Sequence, residues 1–247
     1  MKAQTRREPW TFTEIFFLVA LLFWSSAGLI FTLGRLTPAS IGHFLPAGNL
    51  RDFVDLCIMS GDTILILLAF INTHLHAARQ WTGGVARRWA FTIVSCAYII
   101  ETIGTITGIP FGDYHYVPDK FGPMIAYVPL TIPLAWHVIV TNALFLVRAV
   151  APHVGATMEA LAAGLICMFY DFILEPFATI VKGYWIWGNG SVPLLNYVSW
   201  FVLSALLVRA FAPTLSTRFR FDPRPLIILV LTVLIFLAGE AAARFYR

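Results

Sequence analysis

Seven apolar stretches recur along the chain, at roughly 12–34, 53–73, 88–106, 124–147, 157–180, 193–212 and 225–243. Each is close to the ~20 residues that a helix needs to cross the hydrocarbon core of a bilayer. The pattern predicts an all-α fold, a polytopic membrane bundle of about seven transmembrane helices, with residues 1–247 forming a single integral membrane domain. The first stretch is too long for the apolar region of a signal peptide, and six more follow it. Its Ser25-Ser26-Ala27-Gly28 run suits close helix packing. The connections are short, so neighbours are expected to pack antiparallel. The longest polar connections fall at 35–52, 74–87, 107–123 and 213–224. Pro129 and Pro133 in the fourth stretch and Pro176 in the fifth each remove a helix hydrogen bond, which predicts kinks and space inside the bundle.

Two stretches break this apolar regularity in the same way. The segment ETIGTITGIPFGDYHY, from Glu101 to Tyr116, puts a carboxylate inside an apolar run, interrupts the helix with glycine and proline, and continues into a Tyr-rich loop. The segment YDFILEPFATIVKGYWIWGN, from Tyr170 to Asn189, repeats the arrangement with Asp171, Glu175 and a Trp-rich loop. A bilayer tolerates ionisable side chains and irregular backbone only where protein or a wet cavity shields them. No longer internal repeat is visible, which weighs against a transporter built from inverted repeats.

Composition agrees with the membrane assignment. Hydrophobic residues make up 59% and charged residues 12% of the chain, against about 25% charged in soluble domains. The net charge of +4 sits in loop anchors, so nucleic acid is not an expected partner and membrane lipid is. Eleven basic residues fall on the side of the N-terminus and six on the other. The positive-inside rule then predicts a multi-pass protein of the cell membrane with its N-terminus cytoplasmic and its C-terminus outside. Cys57, Cys96 and Cys167 lie within apolar stretches and read as fillers.

Most of the thirteen acids have structural roles open to them. Glu14, Glu159 and Asp52 sit where helices start, which favours negative charge. Glu240 lies four residues before Arg244, and Asp222 falls in a loop. Asp62, Glu101, Asp171 and Glu175 remain. Asp62 is expected near mid-membrane, about ten residues into the second stretch, and the four are expected to face one cavity. A structural polar network, such as Asp171 with a Tyr or Asn of another helix, is the alternative to a functional site. A carboxyl in apolar surroundings keeps its proton, and two close carboxyls can share one. Such a group can protonate a poor base, even a carbon–carbon double bond. Of the many aromatic residues near the same end, Trp136 and Trp187 are candidates to stabilise a carbocation with their ring faces. The rest suit an interfacial belt. His137 reads as a buried, bonded histidine or a proton relay.

The chain lacks the histidine clusters of membrane di-iron enzymes, and His74-x-His76 alone is a weak metal signal. The seventh stretch has no lysine for a retinal Schiff base. There is no phosphate loop, dinucleotide fingerprint or paired Asp-rich motif. The expected chemistry needs acid, base and water, with no metal and no cofactor.

Four segments carry a resemblance: Glu101-x-x-Gly104 with Thr107 to Gly112 and Tyr114-x-Tyr116; Gly122-Pro123 through Val128-Pro129 to Ile132-Pro133-Leu134-Ala135-Trp136; Asp171-x-x-x-Glu175-Pro176 with Tyr184-Trp185-x-Trp187; and Pro193-Leu194-x-Asn196-Tyr197-x-x-Trp200. In that order the chain resembles the membrane carotenoid-biosynthesis hydratases, the family of bisanhydrobacterioruberin hydratase and the γ-carotene 1′-hydroxylases. The match covers about 100 residues. Asp113 falls at a free position of the pattern. His137 and Ser199 depart from it, and the loop after Trp187 is shorter.

The resemblance implies addition of water to the terminal double bond of an acyclic carotenoid end, giving a tertiary alcohol. It implies Glu101, Asp171 and Glu175 as the acid/base set, with donor and water-activating roles unassigned. Asp62, Tyr114, Tyr116, Trp136, His137, Trp187, Asn196 and Tyr197 are then supporting or substrate-binding candidates. Lycopene, γ-carotene or a C50 precursor is the implied substrate type, with other carotenoid-pathway enzymes as possible partners. The substrate is expected to reach the site sideways between kinked helices. Two other readings stay open from the residues alone: a carotenoid cyclase or isomerase using the same protonation, and a proton-coupled transporter or lipid-binding membrane protein.

Overall fold

The computed structural model describes residues 9–34, 36–214 and 221–245. Its helices are α1 (Phe12–Leu33), α2 (Pro38–Ile41), α3 (Asn49–Met59), α4 (Gly61–Gln80), α5 (Gly83–Thr107), α6 (Thr131–Val150), α7 (Ala156–Pro176), α8 (Leu194–Phe211) and α9 (Arg224–Phe245). A π-helical turn, Phe177–Lys182, continues α7. Four short strands, β1 (Tyr114–Tyr116), β2 (Met124–Ile125), β3 (Val128–Pro129) and β4 (Trp185–Trp187), lie in the connections. Among the described residues, seven helices are long and apolar enough to cross a membrane: α1, α4 to α6, α7 with its π-turn, α8 and α9. The protein is a multi-pass, all-α membrane bundle.

The second expected span is displaced. Ser60, followed by Gly61 as the first residue of α4, separates α3 from α4 inside what reads as one apolar run. In α3, Leu50, Phe53, Leu56 and Met59 are exposed and no residue is buried, the pattern of an interfacial amphipathic helix. The spanning helix α4 runs on through the expected 74–87 connection as far as Gln80, because Asn72, Thr73, His76 and Gln80 turn into the bundle and are buried. Asp62 therefore lies in the first turn of α4, not at mid-membrane. The fourth span also starts later. Met124–Ile125 and Val128–Pro129 pair as a small hairpin, so Pro129 lies outside any helix. Pro133 falls in the first turn of α6, where its missing N–H has no helical acceptor to lose. Of these three prolines, Pro176 alone interrupts a spanning helix, and there the α-helix passes into the π-turn.

Helix α6 is central: fifteen of its twenty residues are buried. It touches α4, α5, α7, α8 and α9. Helices α7 and α8 approach closely at Gly164, where an added Cβ would lie 2.6 Å from the Phe201 carbonyl oxygen. Packing of this kind, rather than hydrophobic exclusion, holds helices together in lipid. Charge pairs tie the end of the bundle where α1 begins. The Thr11 and Glu14 capping box starts α1. Glu14 also meets Arg79 of α4 and Arg224 of α9, each at 3.0 Å. Asp222, expected as a loop acid, is buried and pairs with Arg224 at 2.7 Å and His76 at 3.3 Å. Burial alone would raise its carboxyl, but hydrogen bonds with His76 and Arg224 prevail and hold it well below the usual range.

Candidate active site

At the opposite end, the connections after α5 and after the π-turn fold back over the bundle. Each helix stops at a left-handed glycine, Gly108 (φ 74°) after α5 and Gly183 (φ 65°) after the π-turn, a conformation that costs glycine little. The returning chains pair antiparallel, with Tyr114 opposite Trp187, His115 opposite Ile186 and Tyr116 opposite Trp185. Backbone bonds from Val117 N to Tyr184 O and from Gly188 N to Asp113 O, both 2.8 Å, extend the ribbon. Side chains alternate across a strand. Here Tyr114, Tyr116, Trp185 and Trp187 face inward and are buried, while His115 and Ile186 face outward.

The four inward rings end on two carboxylates. The Tyr114 and Tyr116 hydroxyls donate to Glu101 Oε2 at 2.6 and 2.7 Å. Trp136 Nε1 donates to Glu101 Oε1 at 2.7 Å. The Trp187 and Trp185 indoles donate to Glu175 Oε2 at 3.0 and 3.2 Å. Asn196, in the first turn of α8, places its Nδ2 2.6 Å from Asp171 Oδ2 and 3.3 Å from Glu175 Oε1. Asp171 and Glu175 are one turn apart on α7 and share this donor. All three acids and Asn196 are almost fully buried. Burial, and the Glu101 charge beside them, push the Tyr114 and Tyr116 hydroxyls far above the ordinary phenol range, so both remain O–H donors at any working pH.

These groups line a cavity of roughly 940 Å³ including its mouth. Its polar groups gather near the ribbon, and Val138, Ile139, Ile235 and Phe236 line apolar wall elsewhere. The Trp136 ring stacks on Trp200 at 3.9 Å between centroids and 9° between planes. Among the described residues, no three His, Cys, Asp or Glu side chains are grouped so as to hold a metal ion.

Of the residues singled out in the sequence, Asp62, Glu101, Tyr114, Tyr116, Trp136, Asp171, Glu175, Trp187 and Asn196 line this cavity. Two others do not. Tyr197 is half-buried and packs its ring on Phe172. His137 is fully buried elsewhere, with Nδ1 3.3 Å from Thr141 Oγ1 and its ring against Phe70. That burial and contact fit the bonded core histidine of the two roles expected for it. Asp62 lies at the cavity's edge, paired with Lys182 at 2.7 Å and accepting from the Tyr184 hydroxyl. Trp185 and Trp200, quoted in the resemblance pattern but not among the candidate site residues, also line the cavity, and the tie between Ser199 Oγ and Pro110 O at 2.6 Å had no signal in the sequence. Trp185 was detectable: it lies two residues before Trp187, so on a strand the two share a face.

The family model described as "Carotenoid biosynthesis protein" matches residues 61–245. The chain belongs to this carotenoid-biosynthesis family. The matched region starts at the first residue of α4 and contains every residue of the cavity described above. Helices α1 to α3 precede it. A bisanhydrobacterioruberin hydratase from Haloarcula japonica is 32% identical over 136 residues, 51% of this chain and 46% of that protein. The match spans about half the length of that curated relative. No solved structure matches the chain.

Proposed function

We propose that this family member is a carotenoid hydratase, a hydro-lyase working in the direction of hydration. It adds water to the terminal C1=C2 bond of an acyclic carotenoid end and yields a tertiary alcohol. The observation that carries this reading is one apolar cavity in which the Asp171–Glu175 pair and Glu101 are held by separate sets of donors. Family membership and the activity named for the relative support it.

Two acids one turn apart that share one amide donor suit a pair holding a single proton. Asp171 has one donor and Glu175 has three, so Asp171 is the better proton carrier. Its O–H breaks as a C–H bond forms at C2, which leaves a tertiary cation at C1. The stacked Trp136 and Trp200 rings and the Glu101 carboxylate offset that charge. Every hydrogen bond on Glu101 is one it accepts, which suits a carboxylate. Water attacks C1 while Glu101 takes one of its protons. That proton returns to the Asp171–Glu175 pair through water, so the sum is alkene plus water to alcohol. No electrons are exchanged, and the proposed reaction calls for no redox cofactor.

The ribbon end is assigned to the outside of the cell membrane. Among the described residues, Arg79, Arg87, Arg88, Arg148, Arg209 and Arg224 lie toward the other end, as the positive-inside rule asks of the cytoplasmic face. Enzymes that build the acyclic end or modify the new hydroxyl are the natural partners.

The test is expression in bacteria that make lycopene, with pigments analysed by chromatography and mass spectrometry. A product heavier by one water with an unchanged polyene spectrum is expected. A product of unchanged mass with a new ring would mean that an internal double bond captured the cation. Unaltered lycopene, γ-carotene and C50 precursor in well-expressing cells would refute the hydratase. If Glu101→Gln and Glu175→Gln both fold and keep full hydration, the acid/base assignment is wrong.

A further inference from the structure

A second cavity of roughly 1200 Å³, including its mouth, lies beside the first. Its walls include Trp24 and Gly28 of α1, Cys57 of α3, Val181 of the π-turn, and Gly239 and Ala243 of α9. Gly28, Cys57, Val181 and Ala243 are half-exposed, so it is a groove in the bundle's flank rather than an enclosed void. The two cavities share Asp62, Leu65 and Ile235. Helix α9 carries one stripe through both: Thr232, Ile235 and Phe236 line the first, and Ile235, Gly239, Ala242 and Ala243 the second. At the helical rise, Thr232 to Ala243 spans about 16 Å.

We propose that this groove seats the polyene chain beyond the reacting end and is the lateral route by which that chain arrives from the lipid. The proposal rests on the hydratase reading above. A carotenoid is a rod about as long as the hydrocarbon core is thick, so only its tip fits beside the carboxylates. The ribbon closes the first cavity above the acids, and α6 fills the centre of the bundle. The shared neck leads out through the flank. There the Asp62 charge is matched by Lys182 and bonded by Tyr184, so an apolar chain passes a neutralised pair. The groove walls from α1 and α3 lie outside the family match. The part of the substrate read there is the part remote from the reaction.

The test adds bulk in the groove, away from the acids. A Cβ at Gly28 meets no heavy atom within 4 Å, so Gly28→Ala fits without a clash, and Gly28→Leu and Gly28→Phe extend the added bulk from that open position. With lycopene as probe, KM is expected to rise along that series, by about tenfold or more for Phe, with kcat nearly constant. Separately, bound lycopene is expected to slow alkylation of Cys57 by N-ethylmaleimide and to leave Cys96, outside both cavities, unaffected. Gly28→Phe is expected to abolish that protection. An unchanged KM in Gly28→Phe, or equal Cys57 alkylation with and without lycopene, overturns the seat and leaves the hydratase standing. If the wild type hydrates nothing, the hydratase reading falls, and Cys57 protection still supports or overturns the seat.

Discussion

Replacing Glu101 by glutamine separates chemistry from architecture at this site. The side chain keeps its shape, and only one oxygen becomes an amide. The Trp136 indole can only donate, whereas the two tyrosine hydroxyls can donate or accept. The amide oxygen therefore faces Trp136 and its nitrogen faces Tyr114 and Tyr116, so all three contacts keep a usable polarity. Each bond changes from charge-assisted to neutral, a loss of about 1 kcal/mol. Three bonds give roughly 3 kcal/mol at most, or a fall in Tm on the order of 10 °C for a chain of this size. The group can no longer take a proton from water, and general-base catalysis contributes about 10²–10⁴-fold. Folded yield, Tm in detergent and the rate of hydrated-pigment formation are measured together. The expected result is a folded, slightly less stable protein with at least a hundredfold lower rate. A folded variant within about threefold of wild type would refute the role given to Glu101, since a lost base cannot cost so little.

Asn196→Ala removes the amide shared by Asp171 and Glu175, and a buried hydrogen bond of about 1–3 kcal/mol becomes a roughly 10- to 100-fold fall in kcat, with KM for lycopene little changed. Gly164→Leu drives a side chain into the Phe201 carbonyl and is expected to cost at least about 1–3 kcal/mol; Gly155→Ala, where an added Cβ meets nothing within 4 Å, is the neutral control in the same thermal melts. Asp222→Asn breaks a buried pair, at about 3–5 kcal/mol near neutral pH. Because the folded carboxyl is held below its unfolded value, that stability is complete above about pH 4 and is lost as the pH falls further. The wild-type advantage in Tm should be flat above pH 4 and shrink below it; an advantage constant down to pH 2 would contradict the pairing.

The number of spans was legible because an apolar run of membrane length rarely forms anything but a spanning helix. Their edges were not always so. Hydropathy cannot see a helix break at Ser60-Gly61, two small residues inside an apolar run, and so it starts the second span early and sets Asp62 too deep. It also reads His76 and Gln80 as loop, since their polarity is visible and their burial is not. Glu101, Asp171 and Glu175 stood out as acids in apolar sequence, and the aromatic loops beside them were visible. The pairing of Tyr116 with Trp185 joins segments far apart in the chain, and no local pattern in one sequence announces it. The convergence of Glu14, Arg79, Asp222 and Arg224 was hidden for the same reason: each is unremarkable alone, and only the meeting of α1, α4 and α9 makes them partners.

The ribbon also makes the site sensitive to segment length. Glu101 and Glu175 are each held by the strand that their own helix leads into: Glu101 by residues 13 and 15 positions later, Glu175 by residues 10 and 12 positions later. A strand shifted by one residue exchanges its faces. It would bring His115 or Ile186 inward and turn both donors of that strand away. There is no halfway register. A single-residue insertion or deletion between Gly108 and Tyr114, or between Gly183 and Trp185, should therefore be more damaging than many substitutions there. Diversification of these two loops is accordingly channelled toward changes of residue at fixed length, or changes of length by two.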